Sequence, residues 1–257
     1  MTRGSPSGAL AGKIAVVTGG TSGSGKAIVR RFAAEGATLF VLARRTDRLN
    51  QLAEEFDGDI TGIPTDVADP DAVDAAFEQI RRTHGKLDVL INNAGLYRPS
   101  PLELLSNEDI AEHVGTNFLG PVYTCRAAIP LLRAAGGGDI VNTATEATFL
   151  HPAMLTMYIA TKAALHSFSE LIMKELPDDD IRVTTLVQGV AHGDGAGSSD
   201  GWDPAHLERA LPRWNAEGVM RPLLAGPQAV DDVADVHLYV ITRPRGQHLD
   251  TIFVRSY

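Results

Sequence analysis

Short apolar runs rich in β-branched residues alternate along this chain with longer stretches of helical period, and that alternation restricts it to few architectures. The runs cover residues 13–18 (KIAVVT), 37–43 (ATLFVLA), 60–65, 87–91 (LDVLI), 139–144, 181–187 and 251–255. A strand that reads as an unbroken apolar run is buried on both faces. Helices between such strands imply crossovers and therefore parallel pairing. The expected fold is a doubly wound α/β structure, a parallel sheet with helices on both faces. Its ligand crevice should lie at the carboxyl ends of the strands.

Helix ends are legible as well. Gly36 should stop a helix over 23–35, and further helices are expected over 47–56, 118–135, 157–175 and 228–241. Asp69-Pro70 and Asp203-Pro204 each combine a capping acid with a proline whose missing N–H costs nothing in the first turn. Ser106-x-x-Asp109 has the form of a capping box, and Gly226-Pro227 precedes the last helix.

At 257 residues and 44% apolar content the chain can bury a large core. The pattern runs nearly end to end, so one domain is expected over 11–257, after a disordered tail over 1–10. The net charge of −9 argues against a general nucleic-acid binder, which would need a basic face for phosphates. The single cysteine, Cys125, excludes an intrachain disulfide. It fits a reducing, cytoplasmic setting and reads as a buried packing residue. The first residues lack the apolar stretch of a signal peptide, and no run of eighteen apolar residues suggests a membrane span.

The first strand ends in Thr18-Gly19-Gly20-Thr21-Ser22-Gly23-Ser24-Gly25 and runs into a helix. Glycine lets the backbone turn sharply and approach an anion closely. The helix N-terminus then offers free N–H groups and a favourable dipole to a pyrophosphate. The spacing differs from G-x-G-x-x-G, but its place between first strand and first helix points to a nucleotide. The second strand ends Ala43-Arg44-Arg45 with no acid. An acid there would accept from a ribose 2′-OH, whereas arginine suits a 2′-phosphate. Arg44, with Arg45 stacking or solvated, therefore suggests NADP(H) rather than NAD(H).

In the helix over 157–175, Tyr158 and Lys162 stand four residues apart and share one face. A free phenol, with a pKa near ~10, is a poor acid or base at neutral pH. A neighbouring ammonium should lower that value and let the phenol exchange a proton with a carbonyl or alcohol oxygen.

The combined motifs resemble the short-chain dehydrogenase/reductase family from about residue 10 to the C-terminus. Thr18, Gly19, Gly23 and Gly25 match its Thr-Gly-x-x-x-Gly-x-Gly turn, with Ser24 where isoleucine is usual. Asn92-Asn93-Ala94-Gly95 matches its Asn-Asn-Ala-Gly element, and Tyr158-x-x-x-Lys162 its catalytic pair. The resemblance implies a single-domain Rossmann-type fold and reversible hydride transfer between NADP(H) and a small carbonyl or secondary alcohol compound. It implies that Asp66 and Val67 meet the adenine, that Asn93, Ala94 and Gly95 floor the nucleotide site, and that Lys162 also binds the nicotinamide ribose.

Thirteen positions before the tyrosine, where the family has serine, stands Thr145, which keeps a hydroxyl but loses rotamer freedom. Asn117 matches the family's catalytic asparagine, which breaks its helix locally and holds a water. After the sixth strand the family's Pro-Gly becomes Gln188-Gly189, with Val190 following. Gly189 and Val190 should offer backbone to the nicotinamide amide.

Substrate should touch residues 96–99, 146–155 and a loop or lid over 190–225 that carries Trp202, Leu211 and Trp214. The altered Thr145 and Gln188 leave two alternatives to a ketoreductase or alcohol dehydrogenase. One is a sensor that binds NADP(H) without turnover, the other an epimerase or dehydratase using bound cofactor. No catalytic metal is expected, and the resemblance implies a homotetramer or homodimer.

Overall fold

The computed structural model describes residues 8–176, 178–193, 202–221 and 226–255. In chain order its first half comprises β1 (Ile14–Thr18), α1 (Gly23–Ala34), β2 (Thr38–Ala43), α2 (Thr46–Glu55), β3 (Asp59–Pro64), α3 (Pro70–His84), β4 (Val89–Asn92) and α4 (Asn107–Val114). A π-helical turn, Gly115–Leu119, leads into α5 (Gly120–Ala134) and β5 (Gly138–Thr145). Then come α6 (Ala147–Leu150), α7 (Thr156–Glu175), β6 (Ile181–Gln188), β7 (Ala191–His192), α8 (Pro204–Ala216), β8 (Gln228–Ala229), α9 (Val230–Ile241) and β9 (Thr251–Val254).

Among the described residues, seven strands form one sheet in the order β3-β2-β1-β4-β5-β6-β9. Every pairing in it is parallel. The order reverses direction between β1 and β4, and a doubly wound sheet opens its ligand crevice at such a point. One core face packs Ile28, Val29 and Phe32 of α1 and Val230, Ala234 and Leu238 of α9 onto the sheet. The opposite face packs Phe77 and Ile80 of α3, Leu131 and Leu132 of α5, and Ile172 of α7. The strands are buried on both sides, as their unbroken apolar runs require.

The capping signals act as expected. Asp69 accepts from the N–H groups of Asp71 and Ala72, and Ser106 and Asp109 form a reciprocal capping box. Several boundaries differ from the sequence reading, three of them most notably. Residues 1–7 of the expected tail lie outside the described residues, but Leu10 is buried in the core and its N–H bonds to the Glu35 carbonyl at 3.1 Å. The fourth strand starts at Val89; before it, the Asp88 carboxylate accepts from the Ile14 N–H and the Lys13 ammonium. The last long helix starts at Val230, because Gln228–Ala229 pairs with β7 as a short strand.

Of the expected lid over 190–225, residues 194–201 and 222–225 fall outside the described residues. The described part folds Trp202 and α8 against the sheet's carboxyl end. Trp214 there is buried with Met154 and Leu155, while Leu211 is exposed rather than packed.

Candidate active site

The glycine turn is built for close approach. Gly19 has φ 66°, and a Cβ there would stand 2.8 Å from Ala94 Cα. A Cβ on Gly25 would stand 2.2 Å from the Gly19 carbonyl oxygen. Thr18 ties this turn to the loop after β4: its hydroxyl accepts the N–H groups of Asn93 at 3.1 Å and Ala94 at 3.0 Å. Asn93 returns its side-chain amide toward the carbonyls of Thr18 and Gly19. Asn93 and Ala94 thus brace the turn, and their side-chain and N–H groups are committed to that task.

Ser22 is the N-cap of α1, yet its side chain caps nothing and the first turn holds no acid. The N-terminus therefore keeps donors and positive dipole for an anion, which is what a pyrophosphate requires. Thr21 and Ser22 also line a cavity of about 420 Å³ with Lys26, Asp47, Arg48 and Gln51.

Arg44 reaches away from that turn and donates to Glu112 of α4 at 3.1 Å. The pair is exposed, and such pairs contribute about 0–1 kcal/mol. An incoming phosphate can compete for Arg44 at little cost. Arg45, the N-cap of α2, is exposed with no ion pair among the described residues. Asp66 accepts from the Ala68 N–H at 3.0 Å, shaping its own turn. Val67 is buried against Gly120, where an added Cβ would stand 2.9 Å from its side chain and 3.2 Å from its carbonyl oxygen.

The proposed chemical groups converge at the carboxyl ends of β4 and β5. Asn117 lies in the π-helical turn between α4 and α5 and is fully buried. Its side-chain oxygen accepts from the Leu96 N–H at 2.9 Å, and its amide donates to the Leu96 carbonyl and the Thr161 hydroxyl. The break in helical winding lets that side chain reach across to the loop after β4. Gly95 sits between Asn117 and Lys162, since a Cβ there would stand 3.3 Å from Asn117 Oδ1 and 3.4 Å from Lys162 Nζ.

Lys162 is buried and donates to the Thr143 carbonyl at 2.6 Å. Desolvation lowers its pKa to about 8. The same effect acts oppositely on Tyr158, one helical turn earlier. Burial pushes its phenol up to about 12, the Thr145 hydroxyl opposes this by hydrogen bonding, and the charge of Glu146 adds to it.

The expectation that Lys162 lowers the tyrosine pKa is therefore corrected for the ligand-free chain. The ammonium is itself desolvated and engaged with a carbonyl, and removal from water disfavours phenolate more. Thr145, expected to stand for the family's serine, ends β5 and is buried, and its hydroxyl accepts from the Ala147 N–H at 3.3 Å.

Beneath these groups a buried polar chain links the elements. Thr124 donates to Asn92 at 2.7 Å, Asn92 to Asn142 at 2.8 Å, and Asn142 to Ser169 at 2.8 Å. Cys125 is buried beside Asn92, and burial raises its thiol to about 12, as expected of a packing residue. Thr161 and Ser169 are contributions that motif reading missed, because a Thr or Ser in a helix carries no signal of its own.

Above Tyr158 stands an aromatic wall. The Tyr97 ring lies 5.3 Å from that of Tyr158 and 5.0 Å from that of Trp202, and Trp202 lies 6.5 Å from Trp214. Trp202 and Trp214 donate their indole N–H groups to the carbonyls of Tyr97 and Ala153. His151 and His192 are exposed, and His192 contacts the Gln228 carbonyl.

The segment after β6 departs most from expectation. The Val190 N–H already donates to Glu146 at 3.2 Å, and the Gly189 N–H to the Val254 carbonyl at 2.8 Å. Gly189 and Val190 are thus not open to the nicotinamide amide without displacement of Glu146. Gln188 donates to the Ser24 hydroxyl at 3.0 Å, so two of the residues that depart from the motif pattern, Ser24 and Gln188, meet each other. Among the described residues no group of His, Cys, Asp and Glu is arranged to hold a metal ion. No helix there is long and apolar enough to cross a membrane.

Comparison with known proteins agrees with this geometry. A family model described as short chain dehydrogenase matches residues 13–202. An uncharacterised oxidoreductase of Staphylococcus aureus (strain MRSA252) is 30% identical over 247 residues, covering 96% of this chain and 98% of that protein. The closed form of a serine dehydrogenase complexed with NADP+ superposes with TM-score 0.82 at 27% identity, over 94% of each chain. A 3-ketoacyl-(acyl-carrier-protein) reductase of Brucella melitensis complexed with NADH does so with TM-score 0.79 at 26% identity, over 95% of this chain and 96% of that one.

Proposed function

Because the chain belongs to the short-chain dehydrogenase family, we propose that it is an NADP(H)-dependent oxidoreductase acting on the carbonyl or secondary alcohol of a small organic molecule. The observation that carries this reading is the convergence of Tyr158, Thr145, Lys162 and Asn117 beside an uncapped helix N-terminus and a glycine turn. When bound, the nicotinamide supplies or accepts the hydride.

The protein's own share is position and proton handling. The turn of Gly19, Thr21, Ser22, Gly23, Ser24 and Gly25 would hold the pyrophosphate, and Asp66 and Val67 the adenine. Asn93, Ala94 and Gly95 would form the floor, and Lys162 would meet the ribose. Thr145 would donate to the substrate oxygen and fix it near the Tyr158 phenol. Burial keeps the Tyr158 phenol protonated at neutral pH, so its proton is present for transfer to a substrate oxygen.

The two solved neighbours described above carry different nucleotides, NADP+ and NADH. The choice of NADP(H) therefore rests on Arg44 and Arg45, with no acid at the end of β2. The aromatic wall of Tyr97, Trp202 and Trp214 suits an apolar or aromatic substrate body, with Trp202 and α8 as its lid. The test is turnover of NADPH and of NADH by purified protein with a panel of ketones and aldehydes. The reading expects NADPH oxidation with at least one carbonyl compound and lower efficiency with NADH. Equal efficiency would refute the nucleotide assignment. Tight NADPH binding without turnover across the panel would favour a sensor, a role that the engaged Val190 N–H also fits.

A further inference from the structure

Glu146 is a buried carboxylate, 7% exposed, that the proposed chemistry does not use. It follows Thr145 directly, and its own N–H donates to the Gln188 carbonyl at 3.0 Å, which continues the β5–β6 register. Its side chain crosses to the next strand end: Oε1 accepts from the Val190 N–H at 3.2 Å, and a Cβ on Gly189 would stand 2.9 Å from the same oxygen. Its charge is felt at the Tyr158 phenol. Among the described residues it has no ion-pair partner. Arg255 starts beside the same glycine, but its guanidinium lies over the Phe253 ring.

Burying a carboxylate without a cation is costly, and such groups ordinarily find a positive partner. The reaction proposed above, on which this inference rests, brings one. A hydride can pass only between carbons in contact, so the nicotinamide must lie within a few ångströms of an oxygen shared by Tyr158 and Thr145. The strand ends that carry Thr145 and Val190 border that space, and Glu146 spans them. The nicotinamide ring is cationic when oxidised and neutral when reduced. We propose that Glu146 discriminates between the two redox forms of the cofactor, its carboxylate favouring the oxidised, cationic ring. A fixed negative charge at short range acts on one form and hardly on the other. Glu146 is then a positioning and discriminating residue rather than a catalytic one.

The experiment measures dissociation constants of NADP+ and NADPH for the purified protein and for Glu146→Gln and Glu146→Asp, without substrate. Glutamine keeps an acceptor for the Val190 N–H and removes the charge, so the fold is expected to survive. The ratio of the NADP+ to the NADPH constant should rise at least about fivefold in Glu146→Gln, mainly through weaker NADP+ binding. It should stay within about twofold of the parent in Glu146→Asp. Equal changes for both nucleotides, or the same shift in Glu146→Asp as in Glu146→Gln, would overturn the inference and leave the family reading standing. Failure of the unaltered protein to bind either nucleotide would overturn both.

Discussion

In the proposed reaction Thr145 and Tyr158 form the smallest working unit. Threonine keeps the hydroxyl, which stands buried at the end of β5 and lowers the phenol's pKa against the effect of burial. Its added methyl restricts the rotamers that can present that hydroxyl. Thr145→Ala should lower kcat/KM for carbonyl reduction by about 100-fold, the cost of a lost polarising donor, with little change in NADPH affinity. Thr145→Ser should keep activity within about tenfold of the parent. Loss of activity in the serine variant would mean that the threonine acts by shape.

The candidates Tyr158, Lys162 and Thr145 were readable from their match to the family's pattern. Their electrostatics were not. Whether burial or a neighbouring ammonium controls a phenol depends on what surrounds both. The commitment of Lys162 to the Thr143 carbonyl is a contact that no spacing announces.

At the scale of elements, the crevice is closed by a contact between parts 164 residues apart, from Gln188 at the end of β6 to Ser24 in the first turn of α1. The sequence displayed both residues as departures from a family pattern. Only the fold shows that they form one hydrogen bond. Ser24→Ala and Gln188→Ala should each weaken NADPH binding by about three- to tenfold, and the double variant should be no worse than either single one, as for a shared interaction of about 1 kcal/mol. Additive losses in the double-mutant cycle would show that the two act separately.

The sheet itself was legible almost strand by strand, because buried parallel strands write themselves as unbroken apolar runs. The misplaced ends share one physical origin. Asp88 and Gln228 are bound by partners remote in sequence, and Leu10 is drawn into a core that no local pattern reveals.

The whole molecule carries a pH dependence of its own. His237 of α9 is fully buried, and burial lowers its pKa to about 4. The unfolded chain would hold this imidazole near its ordinary value of ~6.5. Between those values the unfolded state binds more protons than the folded one, so stability is complete above about pH 6.5 and falls as pH drops toward 4. The slope from this group approaches about 1.4 kcal/mol per pH unit. Denaturant unfolding of the parent and of His237→Gln at pH 7 and pH 5 should show a smaller acid loss in the variant. An identical loss would assign the acid sensitivity to carboxylates.

In the proposed reductase reaction Tyr158 gives the proton, and no other group takes its place. This is tested most directly by following NADPH oxidation with a carbonyl compound that the unaltered protein turns over, beside Tyr158→Phe, while NADPH binding is measured separately. The phenylalanine variant should bind NADPH within about threefold of the parent and lose at least about 100-fold in kcat. Full turnover by Tyr158→Phe would contradict the assignment and move the proton donor elsewhere.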